Sequence, residues 1–173
     1  MTTKLQPIPK GYHTVTPFII AKDSARLLEF LKKAFGAEEI GRVYGENGAI
    51  GHAETRIGDS VVMMFDAKEG WPDTPAFLRL YIEDCDATFQ QALDAGAVSV
   101  TQPTNMPWGD RVCRVRDPLG NLWWIMERIE EVSPEEEEKR WGQKEYIEAM
   151  KYVQGADFFP PIKSQNANPL YIE

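Results

Sequence analysis

The chain states one pattern twice. Residues 17–40, PFIIAKDSARLLEFLKKAFGAEEI, and residues 78–100, LRLYIEDCDATFQQALDAGAVSV, each read as an apolar strand, an acidic cap, a helix and a Gly-Ala exit. The spacing is Ile20-x-x-Asp23 in the first and Ile82-x-Asp84 in the second, so the halves differ by one residue there. Asp23 or Ser24 can cap the first helix and Asp84 or Asp86 the second, because a short acceptor side chain satisfies the free N–H groups of a first turn. Leu27, Leu28, Leu31 and Phe35 form an apolar helical stripe, and Phe89, Ala92 and Leu93 a weaker one. Gly36 and Gly96 stand where a helix exit takes left-handed geometry.

Three further strands are expected after each helix. They span about 38–44, 49–57 and 60–66 in the first half, and about 97–103, 111–116 and 122–129 in the second. Turn-forming segments separate them: GENG and GD, then NMPWGD and DPLGN. A βαβββ order repeated once predicts an α+β fold: two curved mixed sheets, each with its helix on one side. Alternation along Leu122–Glu127 sends Trp123 toward the helix-side core and Trp124 to the opposite face.

The remaining 44 residues, 130–173, differ in kind. Ser133 reads as an N-cap, Pro134 as N1, and the glutamates after it face the positive end of the helix dipole. Tyr146, Met150 and Val153 continue a helical face, and the segment from Gly155 reads as an extended tail. This extension is expected to pack over the body of the protein or over a partner subunit.

Several function classes are disfavoured. With 43% hydrophobic and 27% charged residues, 173 residues build one globular domain or two fused halves. A net charge of −8 argues against nucleic acid, which asks for a basic face. Cys85 and Cys113 form neither a CxxC pair nor a zinc spacing, so two reduced thiols are expected. No apolar leader or membrane-length run is present, which points to a cytoplasmic protein without a membrane partner. GxSxG, Walker A, GxGxxG after a strand, and HExxH are all absent.

The doubled pattern resembles the vicinal oxygen chelate superfamily of glyoxalases, bleomycin-resistance proteins and dioxygenases. Within it, six stretches are similar to the PhnB-like branch: GYHTVTPFI (11–19), EFLKKAFGAEE (29–39), IGHAETRIGDSVVMM (50–64), LYIEDCDATFQQALDAGA (80–97), WGDRVCRVRDPLGNLW (108–123) and VSPEE (132–136). The resemblance implies a domain over 11–136, with halves of about 11–70 and 76–132, followed by a helical extension and tail at 137–173. It also implies a homodimer whose cavities lie at the sheet concavities.

Members with chemistry hold a divalent metal with four side chains, mostly His and Glu, from the first and last strands of each half. Aligning on the Asp before each helix and on Gly120 places those positions at Thr16, Met63, Phe77 and Trp124. None is a ligand for a transition metal, and a slip of one residue restores none. The family's metal chemistry is therefore expected to be absent.

The leading expectation is a metal-independent, cofactor-free protein that sequesters a small organic molecule in an aromatic cavity. The candidate lining is Thr16, Phe18, Met63, Phe77, Tyr81, Trp108, Arg111 and Trp124. In NMPWGDR, Arg111 can grip a carboxylate or phosphate, or it can pair structurally. One alternative is a metal-dependent lyase, isomerase or dioxygenase that holds a divalent metal with His13, His52 and Glu54. Another is a non-catalytic structural dimer whose cavity is filled by its own aromatics and tail. An open pocket beside Trp124 favours binding, and a filled one favours the structural dimer.

Overall fold

The computed structural model describes residues 6–159. The first repeat comprises β1 (Phe18–Ala21), α1 (Ser24–Phe35), β2 (Glu38–Tyr44), β3 (Ile50–Ile57) and β4 (Ser60–Asp66). The second comprises β5 (Phe77–Tyr81), α2 (Cys85–Asp94), β6 (Val98–Asn105), β7 (Asp110–Arg116) and β8 (Leu122–Arg128). Each makes a four-stranded mixed sheet, in the orders β1-β4-β3-β2 and β5-β8-β7-β6, with a parallel pair at β1–β4 and at β5–β8. The expected α+β architecture, doubled βαβββ, is the observed one.

The two halves are built by the same devices. Asp23 accepts from Arg26 N at 2.9 Å and Asp84 from Ala87 N at 2.8 Å, so the aspartates, not Ser24 or Asp86, are the caps. Asp66 at the end of β4 accepts from Ser24 N, and Glu127 near the end of β8 accepts from Cys85 N. A carboxylate on each last strand thus anchors the start of each helix, where the dipole favours negative charge. Gly36, with φ 63°, turns the chain out of α1.

One core joins the halves. Ile19, Ala53, Val62 and Met64 of the first sheet and Cys113, Val115, Trp123 and Ile125 of the second pack with Leu27, Leu31, Phe89 and Ala92 of the helices. Helices α1 and α2 meet, Gln91 Nε2 donates to Lys33 O at 2.6 Å, and the rings of Phe35 and Trp123 lie 5.0 Å apart. The other face of each sheet, here termed distal, points away from this shared core.

The extension forms two helices rather than a continuous one: α3 (Pro134–Arg140) and α4 (Lys144–Gln154), broken at Trp141–Gln143. Ser133 caps α3 through Glu136 N with Pro134 in the first turn, as expected. Helix α4 folds back over the distal face of the second sheet. There Val153 packs with Met106, Val112 and Met126, and Gln102 N donates to the Tyr152 hydroxyl at 2.8 Å. The tail expected from Gly155 onward falls mostly outside the described residues.

Candidate functional site

The distal face of the first sheet is open. Strand alternation puts Phe18, His52, Glu54, Arg56, Met63 and Phe65 on it, with Phe18 opposite Met63 and Glu54 opposite Met63 on the other side. Phe18 stacks edgewise on Phe65 at 5.5 Å, lies 5.8 Å from the His52 ring and is 49% exposed. Trp71 continues the aromatic row, 6.2 Å from Phe65.

Glu54 is the polar centre of this face. The Tyr12 hydroxyl donates to Oε2 at 2.5 Å, and His52 Nε2 lies 2.9 Å from Oε1. These two bonds, Tyr12 first, hold the Glu54 carboxyl below the usual carboxylate range. The same carboxylate raises the Tyr12 phenol above its ordinary value. Arg56 Nη1 donates to Gly11 O, pinning the segment that carries Tyr12. The arrangement offers a fixed anion and an imidazole beside an apolar floor.

The chain itself covers the distal face of the second sheet over β7 and β8, while Phe77, Arg79 and Tyr81 on β5 stay exposed. Arg79, Trp124 and Arg114 stand in direct register across β5, β8 and β7. Both guanidinium groups lie over the Trp124 ring, at 4.7 Å for Arg79 and 4.1 Å for Arg114. Phe158 lies over Arg114 at 5.1 Å and contacts Phe77, while Arg114 Nη1 donates to Val153 O at 2.5 Å. Trp123 is fully buried and Trp124 is partly exposed, so the two tryptophans take the two faces expected of them.

The aligned metal positions can be checked against this geometry. Met63 and Trp124 each precede the anchoring carboxylate of their strand by three residues, which makes them equivalent in the two halves. Thr16, just before β1, gives its hydroxyl to His13 O, and Phe77 opens β5. A thioether, an indole, a phenyl ring and a committed hydroxyl do not make a divalent-metal site. His13 lies 3.8 Å from Asp59 rather than with His52 and Glu54, so the structure does not assemble that triad. Among the described residues, Asp84, Asp86 and Glu127 come close enough to share an ion. Each is already engaged: as a helix cap, with Arg111, and with Cys85 N.

The other expected lining residues are placed as follows. Phe77, Tyr81 and Trp124 share the second distal face, and Phe18 and Met63 share the first. Trp108 lies near Met126, its ring 6.1 Å from Trp141, and donates to the buried Asp110 at 2.9 Å. Asp110 also receives Tyr81 and sits 3.0 Å from Arg128 Nε. Arg111 points to the helix side, where Asp86 grips it in a bidentate pair and Asn105 accepts from it at 2.8 Å. Its structural reading is the one this geometry realises, and the Arg111 hydrogen bonds lower the Asp86 carboxyl below its ordinary value. Sequence reasoning missed Tyr12, Phe65, Trp71, Arg79 and Arg114. Alternation with Phe77 and Tyr81 along β5 was the available signal for Arg79, whereas Arg114 joins Trp124 only through cross-strand register and Tyr12 lies outside any periodic element.

Comparison with known proteins follows the same lines. The sequence profile of the glyoxalase/bleomycin resistance protein/dioxygenase superfamily matches residues 12–125. The chain is 38% identical over 133 residues to the uncharacterized protein Mb0911c of Mycobacterium bovis, covering 70% of this chain and 88% of that one. Among solved structures it is similar to TioX from Micromonospora sp. ML1, with TM-score 0.58 and 25% identity over 67% of this chain and 98% of that chain. A glyoxalase/bleomycin resistance protein/dioxygenase family enzyme from Burkholderia phytofirmans shares the fold, with TM-score 0.55 and 17% identity over 68% and 97% of the two chains. A PhnB protein from Bacillus cereus shares it too, with TM-score 0.54 and 16% identity over 66% and 99%. The repeat, the two sheets and the matched span together place the chain: it belongs to the glyoxalase/bleomycin resistance protein/dioxygenase superfamily.

Proposed function

We propose that the protein binds a small organic molecule without a metal, on the open distal face of its first sheet. The carrying observation is the aromatic row Phe18–Phe65–Trp71, exposed at Phe18 and Trp71 and half-buried at Phe65, beside the ordered Tyr12–Glu54–His52 network. An apolar floor with a few fixed polar groups suits a flat, amphipathic ligand. Met63 lies on the same surface. The donor set at the four aligned positions supports the metal-free reading, because no side chain there ligates a divalent ion in the usual way.

In this reading the molecule is a cytoplasmic homodimer of the PhnB-like kind. Support comes from apolar side chains left exposed on both sheets: Val43 and Tyr44 on β2, and Phe77 and Tyr81 on β5. A second copy laid against them would bury these groups and turn open faces into cavities.

The second distal face favours a different role. There the chain's own α4, Phe158 and Arg114 occupy the space beside Trp124, which supports the self-filled structural reading for that half. The binding reading therefore rests on the first sheet. Its test is elemental analysis of full-length protein purified without chelator, with ligand screening by Trp fluorescence. Binding by protein free of metal is the expected result. Near-stoichiometric transition metal that disappears in His52→Ala would overturn it.

A further inference from the structure

The second sheet carries a row of polar groups with no counter-charge among the described residues. Arg79, Trp124, Arg114 and Thr101 are direct ladder partners across β5, β8, β7 and β6. Directly paired residues share a face, so the four side chains line one strip of the distal surface. Arg114 is 4% exposed and Thr101 is fully buried. Arg114 Nε, Trp124 Nε1 and Thr101 Oγ1 are all buried without a hydrogen-bond partner. Arg79 has no carboxylate or carbonyl partner among the described residues; its contact is the Trp124 ring.

Such a row is costly as it stands. A buried guanidinium is ordinarily paired with a carboxylate, and here the charge that acts on it is a second arginine, Arg79. Burial, and then Arg79, push the Arg114 guanidinium down to about 10. Three orphaned polar groups in register, two of them on or beside cations, share one missing feature, which is an acceptor with negative charge.

We infer that the Arg79–Trp124–Arg114–Thr101 row is an oxyanion site, receiving the carboxylate or phosphate of a small anionic molecule at the N–H groups that Arg79, Trp124 and Arg114 leave without an acceptor. The mouth lies at Arg79, which is exposed, and Phe158 is the cover over Arg114. Both arginines are donors only, and the indole N–H adds a third donor, so the site selects for acceptor oxygens. It goes beyond the reading above, because neither arginine belongs to the first sheet's aromatic surface. It stands whether or not a ligand meets that surface.

The test is calorimetric titration of the full chain with inorganic phosphate and, separately, with benzoate, against chloride at matched ionic strength. Saturable binding of at least one probe is expected, and which one saturates distinguishes a phosphate from a carboxylate ligand. Arg79→Met is exposed and should fold, and it should weaken binding about tenfold or more, the loss of a charge-assisted hydrogen bond. Trp124→Phe, which keeps an aromatic face and removes the N–H, should weaken it less. Arg26→Met, which removes a positive charge from exposed α1, should leave affinity unchanged. The site is refuted if neither probe saturates beyond chloride, if Arg79→Met binds as wild type does, or if Arg26→Met loses as much as Arg79→Met.

Discussion

Asp117 accepts a hydrogen bond from the indole of Trp123 at 2.9 Å, across the turn that opens the last strand. The same carboxylate also takes Leu119 N, Asn121 N and Asn121 Nδ2, so one buried side chain closes the DPLGN turn and orients the largest core residue. Burial raises its carboxyl above the ordinary value, even against four donors that pull it down. Asp117→Asn turns an acceptor into a partial donor facing donors, and should cost about 3 kcal/mol of stability. Because the folded value is raised, the folded state holds the proton longer than the unfolded one. The contribution is full below the ordinary carboxylate value and is lost as pH rises through the raised one. Urea melts from pH 4 upward should show that slope in wild type and lose it in Asp117→Asn.

The two neighbouring tryptophans should differ sharply. Trp123 is fully enclosed between α1 and the second sheet, so Trp123→Ala should cost about 4 kcal/mol. Trp124→Ala gives up two cation–π contacts and a partly exposed ring, and should cost about 1 kcal/mol. Equal losses in denaturant melts would contradict the assignment of faces.

Gly109 has φ 89°, and a Cβ there would come 2.5 Å from Glu130 O. Its N–H and C=O also close the NMPWGD loop, with Ile129 N and Glu130 N both donating to Gly109 O. Gly109→Ala should therefore cost about 3 kcal/mol, combining left-handed strain with a backbone clash. Gly48→Ala shares the positive φ but meets open space, and should cost about 1 kcal/mol.

Glu54 and Tyr12 shift each other in opposite directions, the carboxyl downward and the phenol upward. With Glu54→Gln, the Tyr12 phenol loses the neighbour that raises it, and one tyrosine should ionise at lower pH in an absorbance titration. Tyr12→Phe should remove that same tyrosine from the curve. The depressed Glu54 carboxyl means that the contact is present above the ordinary carboxylate value and is lost as pH falls through the lowered one.

Much of the fold was legible because local chemistry and global architecture agree. Asp23, Asp84 and Ser133 cap helices where a short acceptor precedes an apolar stripe. Period-two alternation separated Trp123 from Trp124. What could not be read was long range. Nothing in QKEYIEAMKYV says which sheet its apolar face will cover, and its return over Met126 and Arg114 fills the space beside Trp124. Arg111 looked available for a ligand because its partner, Asp86, is 25 residues away. Tyr12 reaches Glu54 across 42 residues from a segment with no periodicity.

The most direct measurement is an NMR titration of isotope-labelled, chelator-treated full chain with a library of aromatic fragments. The account predicts saturable shifts clustered on Phe18, His52, Glu54 and Phe65, retained in chelator. Binding that occurs only after a divalent metal is added, or shifts that avoid β1, β3 and β4, would contradict it.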